Sequence, residues 1–69
     1  MTDMLDVVAL MVDLPDKGVR RGQVGTIVER LRPNVFEVEF SDDDGRTYAQ
    51  LALADEQLMV LRFRLEHPA

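Results

Sequence analysis

Reactive chemistry has few places to sit in this chain. The only serine is Ser41, the only histidine is His67, the third residue from the end, and there is no cysteine. A nucleophile needs a base held beside it, and these residues offer no such pairing, so the chain reads as a non-enzyme. Gly22 and Gly25 lack the Lys-Ser/Thr that follows a phosphate-cradling loop. The carboxylates are the richest resource: Glu37 and Glu39 alternate along one stretch, and Asp42, Asp43 and Asp44 follow within five residues.

Such a cluster invites a cation, but the spacing fails. A calcium loop beginning at Asp42 needs a bidentate Glu at its twelfth position, where this chain has Leu53. Acid–base catalysis needs two carboxyls in environments that separate their pKa values, whereas alternate residues on one face of a strand share one environment. No metal and no cofactor is expected. What remains for Glu37, Glu39 and Asp42 to Asp44 is an acidic flank that docks on a basic protein, with Tyr48 as an aromatic anchor.

Arg20 and Arg21, next to Gly22 and followed by Arg30 and Arg32, are the competing feature. All the basic residues but Lys17 are arginine, and the guanidinium reads phosphate or carboxylate bidentately. A nucleic-acid-binding loop at Arg20-Arg21 is therefore the alternative. Thirteen acidic against eight basic residues, a net charge of −5, oppose it by repelling phosphate backbones.

The elements that position these residues read as strands. Asp6 to Leu14 is β-branched and stops at the turn signal Leu14-Pro15-Asp16-Lys17-Gly18. Gly22 to Arg32 is a second strand, with a bulge or bend expected at Gly25 because the apolar parity changes between Val24 and Ile27. Val35 to Phe40 alternates cleanly, with Phe36, Val38 and Phe40 on the core face and Glu37 and Glu39 toward water. Asp42 to Gly45 is a hairpin turn. Arg46 to Leu53 returns with Ala49, Leu51 and Leu53 opposite Tyr48 and Gln50, and a helical turn capped by Asp55 precedes a last strand, Leu58 to Leu61.

This pattern specifies an all-β fold, a small five-stranded SH3-like barrel, partly closed, with a one-turn helix before the last strand. Sixty-nine residues make one domain, 1–69, whose ends 1–4 and 65–69 are expected to fray. The longest apolar run, Val7 to Val12, is too short for a membrane span, and the N-terminus lacks the basic region of a signal peptide. A cytoplasmic protein is expected. Apolar residues at both parities in Val7 to Val12 and Leu58 to Leu61, together with the alternating Arg62-Phe63-Arg64-Leu65, point to self-association or to a tail that covers a barrel opening.

Gly22-Gln23-Val24-Gly25-Thr26-Ile27-Val28-Glu29 with Val35 to Phe40 resembles the KOW-type SH3-like barrels of ribosomal proteins and transcription elongation factors. Over nearly its full length the chain resembles DUF4926, a family of short bacterial proteins. The resemblance rests on Asp6 to Leu10, Leu14-Pro15, Gly22 to Glu29, Glu37 to Phe40, Asp43 to Thr47 and Gln57-Leu58. It implies no activity. It suggests an acidic antitoxin or immunity-type inhibitor, or an accessory subunit, facing a basic, toxin-like partner.

Overall fold

The computed structural model describes residues 2–62; Phe63, Arg64, Leu65 and His67 lie outside them. Five strands form one antiparallel sheet: β1 (Val7–Leu10), β2 (Val24–Arg32), β3 (Val35–Ser41), β4 (Thr47–Ala54) and β5 (Leu58–Val60). Their order across the sheet is β4-β3-β2-β1-β5. Three-residue 3-10 turns at Pro15–Lys17 and Asp55–Gln57 are the only helical pieces among the described residues.

Alternation decides which face is dry. Phe36, Val38 and Phe40 of β3 are buried with Ile27 of β2, Val8 and Leu10 of β1, Leu53 of β4 and Leu58 of β5. Leu53 and Leu58 stand on the two edge strands yet share this cluster, so the sheet curls around its own core. Val19, from the long β1–β2 connection, is fully buried with them. Leu14 bridges back to Val19, and Gly18 ends the first 3-10 turn in the left-handed region, φ 77°.

The sheet does not close. β4 pairs only with β3, and β5 only with β1, among the described residues, so the partly closed barrel expected from the sequence is an open, curled sheet. Chain direction explains this. β4 and β5 run the same way, and a directly connected parallel pair needs a crossover of about a dozen residues; three are present.

Two further expectations change. The first strand ends at Leu10 rather than Leu14. Asp55 is not the cap of the second 3-10 turn: Ala54 is the cap residue, and its N–H donates to Gln57 Oε1 at 2.8 Å. The Asp55 carboxylate instead accepts a hydrogen bond from the Thr2 hydroxyl. Thr2 is thereby buried, although nothing in the local sequence marks it as an anchor.

Gly25 is not a bulge. It pairs in regular register with Val8 on one side and Phe40 on the other, as an inward position with no side chain. The parity break seen in the sequence arises because this core-facing residue is a glycine, which leaves Val24 to face outward. A Cβ at Gly25 would meet Val38 Cγ1 at 2.7 Å, the Glu39 carbonyl oxygen at 2.9 Å and Phe40 Cδ1 at 3.0 Å. The irregularities of β2 fall later, between Ile27 and Glu29 and between Arg30 and Arg32.

The hairpin at Asp42–Gly45 forms as its residues demand. Asp42 Oδ1 accepts the N–H groups of Asp44 and Arg46, both at 2.9 Å, and Gly45 takes φ 80°. Asp42→Ala is expected to lower stability by about 1 kcal/mol, the usual worth of such a local side-chain acceptor. Asp42→Asn keeps an acceptor and should lose less than half as much by chemical denaturation. Equal losses would mean that charge, not the acceptor, holds the turn.

Candidate functional site

The acidic face is assembled by β2 and β3. Glu37 and Glu39 lie on the outer face of β3 and are partly buried between neighbouring strands rather than fully wet. Thr26 and Gln50 flank Glu39, and Ala52 flanks Glu37. The other neighbour of Glu37 is Glu29. Ile27 pairs with Val38 and Glu29 with Glu37, so Val28 is the extra residue of a bulge, and the slip turns Glu29 outward directly opposite Glu37. Directly opposed side chains stand about 5 Å apart at Cβ, and like charges there are destabilising.

Glu29 escapes a reading of the sequence because its face depends on that bulge. The available signal is the apolar doublet Ile27-Val28 immediately before the charged Glu29-Arg30, where alternation fails. The same slip carries Arg30 to the inner side opposite Phe36. Its guanidinium carbon sits 5.5 Å from the Phe36 ring centroid, and Nη2 donates to the Thr2 carbonyl at 3.4 Å. Arg30 therefore caps one end of the core.

The five carboxylates of the predicted flank are not equivalent. Asp42 is turned into its own loop, whereas Asp43 and Asp44 are exposed at the hairpin tip beyond the end of β3. Tyr48, which alternation sets with Gln50 opposite Ala49, is instead the extra residue of the slip between the Phe40–Ala49 and Ser41–Thr47 pairs; this turns it to the side of Phe40, 46% exposed. Its ring packs on Phe40 at 6.2 Å between centroids, tilted 38°, and its hydroxyl accepts a hydrogen bond from Gln23 Nε2 at 3.2 Å. The aromatic is thus held in place with half its surface open.

Arg20 and Arg21 are exposed in the β1–β2 connection, where Arg21 N–H donates to Asp13 Oδ1 at 2.9 Å and Arg20 N–H to Gln23 Oε1. Arg30 and Arg32 do not join them. They lie at the far end of β2, about 20 Å away by strand rise, and Arg30 is committed to Phe36. The arginines close in sequence are divided by the length of a strand.

The profile of a family described as a domain of unknown function, DUF4926, matches residues 4–60. The chain belongs to the DUF4926 family. No curated protein and no solved structure matches it. Among the described residues of this DUF4926 protein no group of three His, Cys, Asp or Glu side chains is placed to hold a metal ion, and no helix is long and apolar enough to cross a membrane. The match takes in Glu29, Glu37, Glu39, Asp42 to Asp44 and Tyr48, so the acidic face lies within the family domain.

Proposed function

We propose that this DUF4926 protein is a non-enzymatic protein-binding module whose acidic outer face, Glu29, Glu37 and Glu39, receives a basic surface of a partner protein. The strand order with a 3-10 turn before β5 supports an SH3-like reading of the fold, and a cytoplasmic inhibitor or accessory subunit facing a basic, toxin-like neighbour is the role in which such a face would serve. The observation that carries this is the Glu29–Glu37 pair. A directly opposed like-charge pair costs stability, and a locally unfavourable choice without structural return marks a functional site. A lysine or arginine set between the two carboxylates would turn the repulsion into attraction. Asp43 and Asp44 extend the face toward the hairpin. The Arg20-Arg21 nucleic-acid alternative is left without Arg30 and Arg32 and faces the same net charge.

Two measurements test this. Glu37→Gln alone is expected to raise stability by about 0.2–1 kcal/mol at low ionic strength, with the gain shrinking in 0.5 M NaCl as screening replaces it. Glu29, Glu37 and Glu39 changed together to Gln are expected to slow association with the basic protein that co-purifies from the host at least tenfold at low salt. An unchanged association rate for the triple variant would end the proposal.

A further inference from the structure

Among the described residues β4 is an edge strand, and its own sequence carries none of the usual protection. Edges are normally kept from pairing with other chains by charges, proline or extreme shortness. β5, the other edge, is three residues long. β4 runs eight residues, Thr47-Tyr48-Ala49-Gln50-Leu51-Ala52-Leu53-Ala54, without a charge, a glycine or a proline. Its one irregularity lies at its start, by Ser41 and Thr47, and its register against β3 is unbroken from Ala49 to Ala54. No described residue pairs with its free side.

We propose that a second copy of this chain occupies this edge, the two β4 strands pairing antiparallel about a two-fold axis at Leu51 to make one continuous ten-stranded sheet. Three observations select the copy over an unrelated strand. The first is steric complementarity. With Leu51 on the axis, Gln50 faces Ala52 on the outer side and Ala49 faces Leu53 on the inner side, within the stretch of unbroken register, so both pairs set a larger residue against an alanine. Each pair also keeps the two inner faces on one side of the sheet, the parity that antiparallel pairing requires.

The second is charge. Each copy carries a net −5, yet the nearest outer-face carboxylates, Glu37 and Glu39, sit on β3, one strand behind the edge. Two β3 strands separated by two β4 strands are about 14 Å apart. That exceeds the screening length of about 8 Å at physiological salt, so the acidic faces stay open and flank the junction without blocking it.

The third is the unfinished core beside the edge. A recess of about 400 Å³ opens between β4 and the β1–β2 connection, lined by Leu14 and Lys17 on one side and Leu51, Leu53 and Gln57 on the other. Leu51 is left only partly buried there. In the dimer the small Ala49 and the Leu51 of the second copy enter beside this recess and cover Leu51. A single strand pair is a small interface, so association belongs in the micromolar range.

Sedimentation velocity of the full chain from 5 to 500 μM tests this against two variants. The wild type is expected to rise from the monomer mass toward twice that mass across the series. Ala52→Glu places a carboxylate at an exposed edge position next to the partner strand, and should weaken association at least tenfold at 50 mM NaCl and recover part of it at 1 M. Ala52→Ser, uncharged and nearly as small, should associate like the wild type, and circular dichroism establishes that both variants fold. A wild type that stays monomeric at 500 μM overturns the proposal. So does an Ala52→Glu variant that dimerises undiminished, which would move the interface to the exposed Met11, Val24 and Met59 on the outer face.

Discussion

Phe40→Ala is expected to leave most of the protein unfolded at 25 °C. Phe40 is fully buried on the interior strand β3, beside Gly25 on β2 and Ala49 on β4, and its ring supports Tyr48. Removing a buried phenylalanine side chain costs about 3–5 kcal/mol. A core in a chain this short supplies about the same amount in total. Neither neighbour can fill the hole, because one is a glycine and the other an alanine. Phe40→Leu, which keeps most of the apolar volume, should remain folded with a loss of roughly 1–2 kcal/mol. Urea denaturation followed by circular dichroism separates the two. A Phe40→Ala protein within about 1 kcal/mol of the wild type would show that the sheet does not depend on this cluster.

Gly25→Ala should be the second most damaging change, although it adds one methyl group. The new Cβ would overlap Val38 Cγ1 and the Glu39 carbonyl oxygen. The first can rotate; the second belongs to the backbone of β3 and can move only if the β2–β3 ladder moves with it. Inserting atoms into a packed interior costs about 1–3 kcal/mol when side chains can adjust, so the upper end is expected here. For a domain of this size that is a fall in Tm of roughly 10–20 °C. Gly45→Ala makes the informative contrast. Gly45 has φ 80° but nothing within 4 Å of a Cβ, so its cost is conformational, about 1 kcal/mol. Thermal melts should therefore rank Gly25→Ala well below Gly45→Ala. The reverse order would mean that β2 and β3 are not in close contact at Gly25.

These two glycines show which parts of the structure were legible beforehand. Gly45 is explained by residues within reach of it: Asp42 accepts from Asp44 and Arg46, and the turn follows from that local chemistry. Gly25 is explained by the backbone of another strand, and no inspection of its neighbours in sequence could separate a bulge from a close approach. For the same reason the outer position of Glu37 and Glu39 could be read from alternation within β3, whereas Glu29 could not. Its face depends on a one-residue slip between strands at Val28.

From the sequence alone come the five strands in chain order, the inward face of Phe36, Val38 and Phe40, the outward face of Glu37 and Glu39, and the hairpin at Asp42–Gly45. All of these rest on periods and turns spanning a few residues. Tertiary structure decided that the curled sheet stays open at β4, that Glu29 opposes Glu37, that Arg30 leaves the other arginines to cap Phe36, and that Thr2 reaches Asp55. Each of these depends on which strand lies beside which, and in what register. That relation is set by packing around a shared core, between residues whose distance along the chain says nothing of their distance in space.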